Sequence, residues 1–199
     1  MSQPKTGRHL LFVITAILLT LTITVPVSAA SKATKNKKAT ALYEKKAASI
    51  SSKSMLESKK YVDLTGDGIK EAIFYYHPRN TGSGRKFVIY TYKKGKIKKI
   101  LNDGNYGLEN LIVYKKSKSF IAHGAGHGGE WYRYYKLSGG KYKKVATKRR
   151  VSVYGGSFKN GPWSYFKGAD WTDTNKSEFN TIIKSIKKGK KKNIKLWYY

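Results

Sequence analysis

From Tyr61 onward the chain repeats one pattern: a short apolar or aromatic run, then a cluster of Lys, Gly, Ser or Asn. Ala72 to Tyr76 is a strand, ended by His77-Pro78, and Lys86 to Tyr92 is a second. Lys93-Lys94-Gly95-Lys96 turns that strand back into Ile97 to Leu101. Leu111 to Tyr114 and Phe120 to His123 flank a turn at Lys116-Ser117-Lys118. Glu130 to Leu137 follows a glycine-rich loop and returns through Ser138-Gly139-Gly140 into Tyr142 to Thr147. Such close spacing predicts an antiparallel meander, and the 16 tyrosines suit a pleated, half-buried surface.

Helical periodicity occurs at the two ends of this β region. Ala39, Leu42, Tyr43, Ala47 and Ile50 recur at spacings of three or four, which predicts a helix over about Thr40 to Ser52. A flexible Lys/Ala-rich start precedes it, within residues 31–55. Near the C-terminus, Asn175 with Glu178 forms a capping-box pair, and Phe179, Ile182, Ile183 and Ile186 continue at helical spacing to Gly189. That helix spans about 175–188, and Asn193 to Tyr199 reads as a closing strand. Between the meander and this helix, Trp163, Tyr165, Phe166 and Trp171 are aromatics expected in the core or anchoring loops. The expected class is mainly β, an antiparallel meander with an N-terminal and a C-terminal helix and α+β overall, with residues 56–199 as a single domain.

Residues 1–30 have a different layout. Lys5 and Arg8 precede an apolar run from Leu10 to about Val25, followed by Pro26 and the small residues Ser28-Ala29-Ala30. This is the arrangement of a secretory signal peptide, with cleavage after Ala29 or Ala30. No other apolar run reaches the ~18 residues needed to cross a bilayer. The expectation is a secreted, extracellular monomer, associated with the cell wall and without a transmembrane span once the leader is gone.

Charge narrows the partners. The chain carries 41 Lys and Arg against 11 Asp and Glu, a net charge of +30. Without residues 1–30 the basic count falls by Lys5 and Arg8 to 39, and the net charge is +28. Lysine supplies most of the excess, as a hydrated, flexible field suited to loose attraction of polyanions. Export argues against a specific nucleic acid and points to anionic cell-wall polymers or acidic glycans. The chain has no cysteine, so disulfides cannot support its core.

Against this basic background, DLTGDGIKE gathers Asp63, Asp67 and Glu71 around two glycines. Counting Asp63 as position 1 puts Thr65 at 3, Asp67 at 5, the Ile69 carbonyl at 7 and Glu71 at 9, with Gly68 at the turn position 6. Alternating oxygen donors around a sharp glycine bend suit a hard divalent cation. An EF-hand fails because Phe74 stands at position 12, where a bidentate Glu belongs, and because a strand leaves the loop.

YVDLTGDGIKEAIF resembles the calcium loops of integrin-type FG-GAP, or VCBS-type, repeats. The resemblance implies calcium held by Asp63, Thr65, Asp67 and Glu71 through side chains and by Ile69 through its carbonyl. It also implies a blade-like meander downstream, over about Tyr61 to Val145, with the ion serving stability. A single such loop occurs, so a blade or two is implied and not a closed propeller. The YTYKKGKIKKI and YYKLSGGKYKKV hairpins also resemble small secreted Gram-positive proteins of unassigned activity.

A rival constellation is HGAGHGGE, with His123, His127 and Glu130 beside Trp131. Its glycines exclude the one-face helix that a His-x3-His zinc pair uses. The stretch reads as a glycine-rich hairpin loop; converged on a metal its residues would make a metal-dependent hydrolase, and with Trp131, Tyr132 and Tyr134 they would form a ligand or glycan contact. No pair among Glu109, Glu130, Asp170 and Asp173 has a spacing that marks a glycosidase. A third class, a cationic membrane-active factor, would insert the aromatics of SIKKGKKKNIKLWYY into an anionic bilayer. The expectation adopted is a non-enzymatic, calcium-stabilised, basic binding module.

Overall fold

The computed structural model describes residues 27–79, 84–104, 107–126, 129–151, 163–168 and 172–196. Residues 1–26 of the stretch expected to be a signal peptide, Trp171, His127 and 197–199 lie outside these residues. The chain divides into two units, 1–34 and 35–199. Of the first, residues 27–34 are helical, and the rest of this description concerns the second.

Helix α1 (Val27–Ser51) leads into four strands, β1 (Ser54–Val62), β2 (Glu71–Pro78), β3 (Lys86–Lys93) and β4 (Lys96–Gly104). They pair in sequence order as an antiparallel meander, sheet A. A second sheet, B, holds β5 (Leu108–Tyr114), β6 (Ser119–Gly126), β7 (Gly129–Ser138), β8 (Lys141–Val151), β9 (Trp163–Lys167) and β10 (Thr172–Asp173). Helix α2 (Lys176–Lys184) follows, and β11 (Lys191–Lys195) closes sheet B by pairing antiparallel with β5. The fold is mainly β with two helices, an α+β class built on antiparallel sheets.

Four layers result. Ala39, Tyr43, Ala47 and Ile50 of α1 pack on Ala72, Phe74, Val88 and Tyr90, one face of sheet A. The opposite face, with Ile73, Tyr75, Phe87 and Ile89, meets Leu111, Val113, Phe120, Ala122 and Tyr135 of sheet B. The outer face of sheet B, through Ile121, Tyr134 and Ala146, receives Phe179, Ile183 and Ile186 of α2 and the turn after it. Sheet A is covered on both faces, which is why β2 and β3 read as continuous apolar runs and not as alternation. The Phe120 ring joins the sheets, edge-on to Phe87 of sheet A at 6.0 Å and stacked on Tyr135 of its own sheet at 4.8 Å.

The turns follow the local chemistry expected of them. Lys94-Gly95 and Gly139-Gly140 all have positive φ, the mirror-image turn that matches strand twist in a hairpin. At α2, the Asn175 side chain accepts the Glu178 N–H at 2.9 Å, as the cap pattern predicts. The Glu178 carboxylate turns instead to Lys167 at 2.9 Å and to the Thr174 hydroxyl.

Three elements differ from expectation. The stretch expected to be flexible before Thr40 is helical from Val27, because its Ala and Lys residues are strong helix formers without needing a buried stripe. Strand β1, SMLESKKYV, was assigned no strand: it is an edge strand whose Ser and Lys residues mask its pattern. Strands β9 and β10 likewise arise between the meander and α2, where only core or loop-anchoring aromatics are expected.

Gly124 in β6 sits directly under the Trp131 ring. A Cβ there would lie 2.2 Å from that ring and 2.2 Å from the Gly107 carbonyl oxygen. Gly124→Ala should therefore destabilise the fold by about 1–3 kcal/mol in urea denaturation. An unchanged unfolding midpoint would show that Trp131 does not pack there.

Candidate functional site

The acidic loop joins β1 to β2, with Gly66 at φ +80° and Gly68 at φ +84° allowing its two sharp bends. Asp63 Oδ1 accepts the Gly66 N–H at 2.7 Å, and Asp67 Oδ1 accepts the Ile69 N–H at 2.8 Å. Glu71, the first residue of β2, is fully buried. Its Oε2 accepts the Leu64 N–H at 2.8 Å, and its Oε1 accepts the Thr91 hydroxyl of β3 at 3.0 Å.

Other elements fix the loop from outside. The Asn36 amide of α1 donates to the Gly68 carbonyl at 2.9 Å and accepts the Lys70 N–H at 2.8 Å. The Tyr43 hydroxyl donates to the Lys70 carbonyl at 3.0 Å. From the turn after β5, the Lys115 ammonium reaches Asp63 Oδ2 at 2.8 Å.

For a hard cation the loop offers side-chain oxygen at three positions, although both oxygens of Asp63 are engaged by Gly66 and Lys115. Asp63, Thr65 and Asp67 present oxygen alone, and the buried Thr65 hydroxyl has no hydrogen-bond partner. The Tyr142 hydroxyl, also buried without a partner, lies in the electrostatic reach of Asp63, Asp67 and Glu71. Glu71, like Asp63, already has both its oxygens on protein donors, and it differs in being fully buried. Among the described residues no three His, Asp or Glu side chains converge as a preformed metal centre. Lys115 supplies the cationic charge at Asp63.

The histidine stretch lies on a pair of adjacent strands, β6 and β7, and it splits the residues expected to act together. His123 of β6 pairs with Tyr132 of β7, and both face outward from sheet B. Trp131 points the other way, into the space between the sheets, where it packs on the core and on the Arg133 guanidinium at 4.7 Å. Adjacent strand residues take opposite faces, so Trp131 cannot share a site with His123. His127 lies outside the described residues.

His123 and Glu130 do meet, with Nε2 and Oε1 3.1 Å apart. The other ring nitrogen faces Glu109 Oε2 at 3.3 Å and the Asn110 amide at 3.2 Å. Glu130 also receives the Tyr132 hydroxyl at 2.8 Å and the Arg150 Nε–H at 2.7 Å. Burial would raise the Glu130 carboxyl, but hydrogen bonds from Tyr132, Arg150 and His123 outweigh it and hold the group below its usual range. Glu130 is thus a buttress that positions Tyr132, Arg150 and His123. Glu109, Asn110, Lys148, Arg150 and Trp163 join this cluster through strand register, which no short sequence motif announces.

No family model, curated protein or solved structure significantly matches the chain.

Burial, reinforced by Asp67 and Asp63 and opposed by the bonds from Leu64 and Thr91, pushes the Glu71 carboxyl up to about 7. The folded state therefore holds a proton that an unfolded carboxyl releases near 4.5. This contribution, of order 3 kcal/mol, is complete below about pH 4.5 and is lost as pH rises through about 7. In the presence of chelator, Tm should fall across that window, and Glu71→Gln, which keeps an acceptor for Leu64, should flatten the profile. An identical slope in the variant would rule out Glu71 as its source.

Proposed function

We propose that the chain is an exported, non-enzymatic, strongly basic binding module that attaches to anionic polymers of the cell surface, wall polymers or acidic glycans. The observation that supports this reading is how the charges are distributed. The described carboxylates are mostly committed inside the molecule: Glu44 to Lys59, Glu57 to Arg85, Asp63 to Lys115, Glu130 to Arg150 and Glu178 to Lys167. Lysine outnumbers them, and it lies exposed on the β3–β4 hairpin at Lys93, Lys94, Lys96, Lys98 and Lys99. A second exposed group, Lys187, Lys188, Lys190, Lys191 and Lys192, follows α2. Such a field draws in a polyanion at long range and is screened by salt. Among the described residues, no helix is long and apolar enough to cross a membrane.

Calcium belongs to this reading as a structural ion. Asp63, Thr65 and Asp67 would hold it, with the Ile69 carbonyl and Glu71 as the further donors that the loop spacing offers. When bound, it supplies a fixed divalent charge at the start of β2. The chain's own part is to hold the loop open for it, through Asn36 and Tyr43 on Lys70 and Gly68.

Two measurements test the proposal. Binding to a phosphate-bearing wall polymer should weaken at least about tenfold between about 0.05 and 0.2 M salt, while a neutral glucan should not bind. Equal binding to the glucan, or indifference to salt, would overturn it. Separately, calcium at about a hundredfold excess over its Kd should stabilise the fold by about 2–3 kcal/mol, and Asp67→Ala should abolish the gain. A Tm unmoved by calcium would remove the ion from the proposal and leave polymer binding standing.

A further inference from the structure

The outer face of sheet B carries a row of cations and aromatic rings beyond the end covered by α2. Lys148 of β8 pairs with Tyr132 on one side and Tyr165 on the other, and Arg150 pairs with Glu130 and Trp163. Directly paired residues share a face, so these six side chains project together. The Lys148 ammonium lies 3.7 Å from the Trp163 ring centre and 5.5 Å from that of Tyr132. The Arg150 guanidinium lies 4.6 Å from the same Trp163 ring. Two cations are thus held by one indole, an arrangement that fixes their positions before any ligand arrives.

The two are not equivalent. Arg150 is committed to Glu130 at 2.7 Å. Lys148 forms no ion pair with a carboxylate among the described residues. Desolvation lowers its pKa, as does repulsion from Lys187, Arg150 and Lys176, against a partial offset from Glu130. Like charges gathered around a half-buried ammonium are relieved by an anion.

Next to this cluster, Lys187 also lines a groove of about 540 Å³ along α2, with Ser177, Asn180, Thr181 and Lys184. Hydroxyl and amide groups there can exchange hydrogen bonds with hydroxyls of a ligand, while the lysines serve its acid groups. Charge and hydroxyl recognition are continuous through Lys187.

We propose that the platform of Trp163, Tyr132 and Lys148, continued through Lys187 into the α2 groove, is a docking site for an acidic saccharide. Its acid groups pair with Lys148 and Lys187, and neighbouring sugar hydroxyls meet Ser177, Asn180 and Thr181. This rests on the polyanion reading and assigns that reading a ligand class and the residues that recognise it.

The test is calorimetric titration of the full chain with three probes. They are oligogalacturonate, a malto-oligosaccharide of equal length, which has hydroxyls without charge, and inorganic polyphosphate, which has charge without sugar. Oligogalacturonate should bind, and Lys148→Met should weaken it about tenfold. Polyphosphate, drawing on the whole charged surface, should be nearly unaffected by that change. Thr181→Val should weaken oligogalacturonate alone, and Trp163→Phe should fall between wild type and Lys148→Met. Lys187→Met, at an exposed position after α2, repeats the charge test without disturbing the sheet, and thermal unfolding verifies each variant. If Lys148→Met and Lys187→Met leave oligogalacturonate binding unchanged, or reduce it no more than polyphosphate binding, the docking site is overturned and only diffuse polyanion attraction remains. If the malto-oligosaccharide binds equally well, charge is not what the platform reads, and the proposal also fails. If neither anion binds, the proposed function fails with it.

Discussion

A single carboxylate with no exposure to solvent holds the first half of the fold in register. Glu71 accepts one hydrogen bond from the Leu64 backbone and another from Thr91, so the β1–β2 loop is tied at once to its own strand and to the next. Leu64 is thereby placed in the core between the sheets. The loop's far side is then fastened to α1 through Asn36 and Tyr43, which sets where the helix lies on sheet A. A buried carboxyl is costly without partners, and here the acids at Asp63 and Asp67 make it costlier. The fold accepts that because the same groups make the loop a place where positive charge is welcome, whether a lysine or an ion.

The fold was legible in the sequence where burial and turn chemistry agree. Runs such as Ala72 to Tyr76 and Phe87 to Tyr90 are apolar on both faces because helix and second sheet cover them. Lys94-Gly95 and Gly139-Gly140 mark hairpins because only certain residues tolerate their φ. Strand β1 has no signature in the sequence because it owes its place to pairing with β2 along its length, and its polar residues announce nothing. The early start of α1 has a different cause: Ala and Lys residues before Thr40 sustain a helix without a periodic apolar pattern.

The candidate sites were legible only as far as they are local. The acidic loop is nine consecutive residues, so its donor spacing could be read directly. The platform on sheet B is assembled from three strands, β7, β8 and β9, and nothing near Glu130 in the sequence indicates Arg150 or Trp163. Alternation along β7 also separates Trp131 from Tyr132, so neighbours in sequence serve different sides of the sheet. Tyr132 joins the cations outside, and Trp131 fills the space over Gly124.

The edges of the two sheets have a consequence for how many copies can share a solution. Helices cover the faces, but β1, β4, β10 and β11 each end a sheet. Lys59 and Lys60 lie on β1, Lys96, Lys98 and Lys99 on β4, and Lys191, Lys192 and Lys195 on β11. A second chain approaching any of these three borders to extend the ladder meets its own ammonium groups reflected back at it. Electrostatic repulsion of this kind opposes edge-to-edge growth of a tyrosine-rich, disulfide-free sheet protein. It would fade where a polyanion neutralises the borders, so the surface that favours dispersal alone would permit crowding on a polymer.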